Sequence, residues 1–236
     1  MYDYSSKDRS YTPFFERHAR EGMMKTIKTT KPTTRPDSWL IVDLEATCWE
    51  DGIMPNGERQ SVDNMEIIEI GCAVARESGE ILDSRSILVR PTENPILTPF
   101  CTSLTAITQE MVDQALTLDR VMNDLNLHLA EYDLAGWCSW GDYDRRMFEA
   151  QTQRLGCNLD LLSFPHVNIK KLWVASTGHS KKRSGLMNAL ARHGLEFEGH
   201  YHRGIDDARN MARLLPFMNW VFKDQFTTPG QPLKSE

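Results

Sequence analysis

The stretch Trp39-Leu40-Ile41-Val42-Asp43-Leu44-Glu45-Ala46-Thr47 constrains the chain more than any other. Its apolar run predicts a buried strand, and Asp43 and Glu45 stand near the end of it. Side chains two apart on a strand project to the same side, so the two carboxylates emerge together. Neighbouring like charges repel, and one acid then tends to stay protonated. A divalent cation relieves this, because Mg²⁺ and Mn²⁺ favour carboxylate oxygens. The alternative for this pair alone is that one carboxylate faces solvent past the strand end.

At 236 residues, 40% hydrophobic and 25% charged, the chain suits one globular domain with appendages. No apolar stretch approaches membrane-spanning length, and Met1 to Arg20 lacks the apolar core of a signal peptide. Neither membrane attachment nor secretion is therefore expected. Cys48, Cys72, Cys101, Cys138 and Cys157 form no CxxC pair. This argues against a structural zinc site or a disulfide framework and points to a reducing, cytoplasmic setting. A net charge of −6 disfavours a protein that coats nucleic acid, while an enzyme with a local basic surface stays compatible.

Residues 1–36 read as an N-terminal extension ending in prolines and threonines, with a short helix expected within Phe14 to Met24. A second strand is expected over Met65 to Val74 and a third over Ile81 to Val89, joined by the turn Ser78-Gly79-Glu80. Helical spacing follows at Thr105 to Val112, with Thr108 as N-cap, and at Asp119 to Tyr132. Leu134 to Trp140 reads as a parallel strand, Asp144 to Leu155 as a helix stopped by Gly156, and Val167 to Trp173 as a strand. Ser184 to His193 and Asp206 to Phe217 read as the last helices, and the chain from Thr227 as a disordered tail. Strands first, then alternating strand and helix, predict an α/β fold around a mixed sheet whose first three strands are antiparallel.

Two more segments place acids or an imidazole just outside an apolar element: Trp140-Gly141-Asp142-Tyr143-Asp144 and His202-Arg203-Gly204-Ile205-Asp206-Asp207. In α/β sheets, ligand groups commonly sit at the carboxyl ends of strands. N-capping would account for one of the paired aspartates, Asp206, and leaves Asp207 to be explained.

With the first motif, Val42 to Trp49, these segments resemble the 3′→5′ exonucleases of the DnaQ-like, or DEDD, superfamily, and within it the ERI-1-type exoribonucleases. The stretches Glu66 to Gly71 (E-I-I-E-I-G) and Phe100 to Gln109 (F-C-x-x-L-T-x-I-x-Q) carry the likeness further, which spans roughly residues 38 to 217. The resemblance implies an α/β, ribonuclease H-like fold with a mixed five-stranded sheet flanked by helices. It sets an exonuclease domain at 37–220 and a C-terminal tail at 221–236. It implies Asp43, Glu45, Asp144 and Asp207 as ligands of two Mg²⁺ ions, replaceable by Mn²⁺, with Asp43 bridging. His202 then becomes the base of the "h" subtype, and Asp142 a bystander to Asp144. Thr47, Cys48, Trp49 and Leu104 are expected at the terminal nucleotide, and Lys182, Arg183 and Ser184 at backbone phosphates. By resemblance, the substrate is an RNA 3′ end, with short DNA left open, and the product a nucleoside 5′-monophosphate.

The chemistry agrees with the residue types. Two cations can activate a water, stabilise a leaving 3′ oxygen and clamp a phosphoryl group between them. A histidine of ordinary pKa, about 6.5, can take the water's proton near neutral pH. Two other functions remain at this point: a broad oligonucleotide-scavenging exonuclease, and an inactive binding module on the same fold.

Overall fold

The computed structural model describes residues 36–179 and 184–232. Residues 1–35, which hold the expected N-terminal helix, and Lys182 and Arg183 lie outside the described residues.

Strand β1 (Ser38–Ala46) is central. It pairs antiparallel with β2 (Ile67–Arg76), which pairs antiparallel with β3 (Ile81–Arg90), and it pairs parallel with β5 (Leu134–Ser139). Helices α1 (Pro99–Thr105) and α2 (Gln109–Asp113) follow β3, and Thr108 caps α2 by accepting from the Met111 N–H at 3.3 Å. Strand β4 (Leu116–Thr117) leads into α3 (Leu118–Leu129). Beyond β5 come α4 (Tyr143–Leu155), β6 (His166–Asn168), α5 (Ile169–Thr177), α6 (Leu186–Arg192), α7 (Gly204–Ala212) and β7 (Thr227–Thr228).

The sheet is mixed and flanked by helices as expected, but it has seven strands, in the order β4-β3-β2-β1-β5-β6-β7, and not five. The difference lies at the edges. Strands β4 and β7 are two residues long, too short to show a period-two pattern. They exist because neighbouring chain presents unpaired backbone groups to them. Thr227 and Thr228, expected to be disordered, pair antiparallel with Val167 and His166. The segment read as a strand over Val167 to Trp173 divides instead into β6 and α5, with Asn168 capping the helix by accepting from the Lys171 N–H.

Period-two alternation along β1 sends its side chains to two cores. Leu40, Val42 and Leu44 join one, with Ile67, Ile70, Leu125, Met147 and Phe148. Trp39 and Ile41 join the other, with Trp173, Leu190, Ala208 and Met211. Continuing that second face along β1, the next two side chains are Asp43 and Glu45. The acids therefore occupy the point where an apolar face ends against the start of α7.

Candidate active site

Two glycines let α7 come that close. A Cβ on Gly71 of β2 would lie 1.8 Å from the carbonyl carbon of Gly204, and one on Gly204 would lie 2.8 Å from the Asp43 carbonyl oxygen. Backbone thus meets backbone where α7 begins, and Asp207, in its first turn, reaches the strand. Asp43, Glu45 and Asp207 each offer an oxygen within 4.8 Å of the others.

Asp144 arrives from the opposite side. The pairing of β5 with β1 extends to Ile41; beyond it the Leu44 N–H donates to Asp144 Oδ1 at 3.1 Å. Asp144 sits in the first turn of α4 and is buried, whereas Asp142 forms a surface ion pair with Lys171 at 2.8 Å. The two aspartates thus stand in different surroundings.

The electrostatics of the acids follow from burial and from one another. Burial, then the charges of Asp144, Asp207, Glu45 and Glu69, hold the Asp43 carboxyl well above the usual carboxylate range. Glu45 is pushed up to about 9 by burial, then by Asp207, Glu69, Asp144 and Cys101, all acting in the same direction. Burial is the main cause raising Asp207 to about 7, and the His202 N–H opposes it. Asp144 rises to about 6 by burial, opposed by the Leu44 N–H, its own N–H and Ser139. Burial and the mutual repulsion of neighbouring carboxylates produce this pattern. The donor set, all carboxylate and partly solvent-reachable, fits a hard divalent cation.

His202 stands beside this cluster in a left-handed backbone conformation (φ 66°). Its N–H donates to Asp207 Oδ2 at 2.9 Å, and its ring lies 4.1 Å from that of Tyr201, tilted by 43°. Burial, then the neighbouring His200, lowers its imidazole pKa. The neutral ring is thus favoured near neutral pH, as a proton acceptor must be. Asp206, expected to cap the helix, accepts from the His200 N–H at 2.9 Å and so holds the loop before His202; Arg203 takes the N-cap position without a side-chain bond to the helix's own N–H groups.

Thr47 is buried, and its Oγ1 accepts from the Glu66 N–H at 3.0 Å. Cys48 is buried, and its carbonyl accepts from Thr98 Oγ1 at 2.7 Å. Trp49 borders a shallow groove with Pro55, Ile96, Leu97 and Pro99. Leu104 packs, partly buried, on the first core. Ser184 is buried and its carbonyl accepts from Trp140 Nε1 at 2.9 Å; it does not cap α6, whose N-cap is Gly185. Sequence reasoning gave no role to Glu69 or Tyr201. Glu69 had a signal, since it lies two positions before Gly71 within the quoted E-I-I-E-I-G stretch.

The profile of the family described as "Exonuclease" (RNase_T) matches residues 40–215. The chain belongs to this exonuclease family. It is 31% identical over 205 residues to "ERI1 exoribonuclease 3" of Homo sapiens, covering 81% of this chain and 57% of that protein. It is 28% identical over 220 residues to "ERI1 exoribonuclease 2" of Xenopus laevis, covering 80% of this chain and 30% of that protein. The chain thus spans 27% to 30% of the length of these "ERI1 exoribonuclease 2" relatives. Among solved structures, the nuclease domain of "3'hExo, a DEDDh family member, bound to rAMP" superposes with a TM-score of 0.68 at 27% identity, covering 83% of this chain and 98% of that one. These matches support the ERI-1-type, DEDDh branch that the motifs resemble.

Proposed function

We propose that this protein removes nucleoside 5′-monophosphates one at a time from the 3′ end of RNA, with short single-stranded DNA as a second substrate. The convergence of Asp43, Glu45 and Asp207 within 4.8 Å, beside Asp144 and His202, carries this reading. Its relatives are named as exoribonucleases, and one similar structure is described as "3'-end specific recognition of histone mRNA stem-loop by 3'-exonuclease".

Asp43, Glu45, Asp144 and Asp207 would hold two Mg²⁺ ions, or Mn²⁺ in their place, and the charges of the other three all bear on Asp43. Such ions, when bound, supply Lewis-acid activation of water and neutralise charge on the phosphoryl group and the leaving oxygen. The chain's own part is to orient and to move a proton. His202, kept neutral, accepts the proton of the attacking water. The bond from its own N–H to Asp207 ties that imidazole to the acids. Thr47 accepts from the Glu66 N–H through one of the two lone pairs of its hydroxyl, and its hydroxyl hydrogen is its donor toward a terminal 3′ oxygen. Trp49 and Leu104 offer apolar surface to the last bases, and base stacking of that kind adds about 1–3 kcal/mol with little sequence preference. Lys182, Arg183 and Ser184 are assigned to the backbone phosphates upstream. We read 37–220 as the exonuclease unit. Cys48, Cys72, Cys101 and Cys138 are buried free thiols, which suit a reducing compartment such as the cytoplasm; no helix among the described residues is long and apolar enough to cross a membrane.

The test offers 5′-labelled and 3′-labelled single-stranded RNA, duplex RNA with an overhang, and the matching DNAs, with Mg²⁺, Mn²⁺ or EDTA. A ladder of shortened 5′-labelled products with released mononucleotide, abolished by EDTA, is expected. The rate should fall on the acid side as His202 protonates, with its midpoint below the ordinary imidazole value. Internal fragments, or equal cleavage in EDTA, would overturn the proposal.

A further inference from the structure

Glu69 adjoins the acidic site, yet the chemistry above makes no use of it. It is fully buried on β2, directly opposite Glu45 in the β1–β2 register. Its carboxylate is committed on every side. Oε1 accepts from Ser86 Oγ at 2.5 Å and from Arg203 Nη2 at 3.3 Å. Oε2 accepts from Arg203 Nε at 3.2 Å and from the Gly204 N–H at 3.0 Å. Two donors on each oxygen occupy the lone pairs of a carboxylate, so Glu69 has none to give a cation. It differs in this from Asp43, Glu45 and Asp207.

The donors are informative. Ser86 anchors Glu69 to β3, whereas Arg203 and Gly204 form the link between His202 and the first turn of α7. One buried anion rooted in the sheet thus grips that link twice, by a side-on guanidinium fork and by a backbone N–H. The link has need of a grip. His202 lies in the left-handed region, which a residue other than glycine keeps only where its surroundings over-determine it. The Gly71–Gly204 contact admits no spacer between strand and helix, so a small slip there moves His202 and Asp207 together.

We propose that Glu69 and Arg203 form a latch between the sheet and α7, a positioning pair that sets His202 and Asp207 against Asp43 and Glu45. Its effect on rate rests on the exonuclease reading; its effect on local order does not. A buried charge pair of this kind acts as a unit, because either partner left alone is an uncompensated buried charge.

The experiment compares the full chain with Glu69→Gln, Arg203→Gln, Arg203→Lys and the double Glu69→Gln/Arg203→Gln. In 3′-trimming of RNA, kcat should fall at least about tenfold in each single Gln variant, with KM within about twofold, because displaced catalytic groups cost rate and not uniform binding. The double variant should be no slower than the slower single, the signature of coupled groups. Arg203→Lys should fall in between, since lysine restores the charge but not the fork. Independently of activity, amide exchange over residues 199–207 should quicken at least about tenfold in the Gln variants while β1 and β2 keep their protection. Arg203→Gln, at the partly exposed end of the pair, keeps the test valid if Glu69→Gln lowers stability throughout. Unchanged exchange over 199–207, kcat within about twofold of the parent, or effects that multiply in the double variant would overturn the latch. A parent chain with no hydrolysis would reject the exonuclease reading and leave the exchange experiment to decide the latch.

Discussion

Glu66 and Glu45 are both buried, at 2% and 8% exposure, and lie close together where β1 ends and β2 begins. Their surroundings are opposite. The Glu66 carboxylate accepts from the backbone N–H groups of Thr92, Glu93 and Asn94 and so secures the chain after β3. Glu45 is met by Asp207, Glu69, Asp144 and Cys101, each of which disfavours its charge. Glu69 is the intermediate case, buried but saturated by Ser86, Arg203 and Gly204. Burial of a carboxylate therefore does not mark a functional site. Burial among other acids is a stronger pointer, because such carboxyls are costly to ionise and a bound divalent cation would offset that cost.

The sharpest break of this contrast is chemical. Asp43→Asn should lower 3′-trimming by about 10³-fold or more, since the site loses its central carboxylate; initial rates on 5′-labelled RNA measure it. A loss of less than about tenfold would remove Asp43 from the centre of the site. Next is Glu66→Ala, which strands the N–H groups of residues 92–94 and should cost about 3 kcal/mol in urea unfolding. If it cost no more than an exposed substitution, the two glutamates would not differ as described.

Cation binding should follow in size. Mg²⁺ at about 100 times its dissociation constant should add about 2.7 kcal/mol of stability, visible as a rise in Tm. The pH dependence has a definite sign. Glu45 at about 9, Asp207 at about 7 and Asp144 at about 6 keep their protons in the folded state at pH values where the unfolded chain has lost them. On their account, metal-free stability falls as pH rises from the ordinary carboxyl range through those values. The Tm gain from Mg²⁺ should accordingly be larger near pH 8 than near pH 5.5. His166, lowered to about 4 chiefly by burial, acts oppositely, losing stability as pH falls from 6.5 toward that value. The smallest effect is the most diagnostic. Glu45→Gln should stabilise the metal-free protein near pH 8 by about 1–2 kcal/mol, where His166 is neutral in both states, while abolishing the gain from Mg²⁺. Destabilisation by Glu45→Gln would show that the acids are not in conflict.

Much of this site was legible before any folding was considered. A strand has a period of two, so Asp43 and Glu45 had to share a side; only the resemblance to the family, whose aspartate follows an aromatic just inside a helix, preferred Asp144 to Asp142. His202 and Asp207 were legible only as part of an ordered set of motifs, because a loop histidine alone says little. Other features had no local signal. The capping role expected of Asp206 gave way to a bond with the His200 N–H, a choice made by how the 199–202 loop folds back. The same holds for the edge strands β4 and β7, whose two residues apiece pair only because β3 and β6 lie beside them.

What the chain determined alone was a set of local facts: an apolar strand ending in two carboxylates, glycines at Gly71 and Gly204, and acids in the first turns of two helices. These follow from residue type and from repeats of two or 3.6 residues, which act over a few neighbours. The tertiary structure decided which buried acids are satisfied and which are left in conflict. That outcome depends on donors from positions as distant as 135 residues, as between Gly204 and Glu69, and no pattern within a segment can encode it. Only once the strands and α7 are packed does Glu69 become a fastening and Glu45 a candidate ligand.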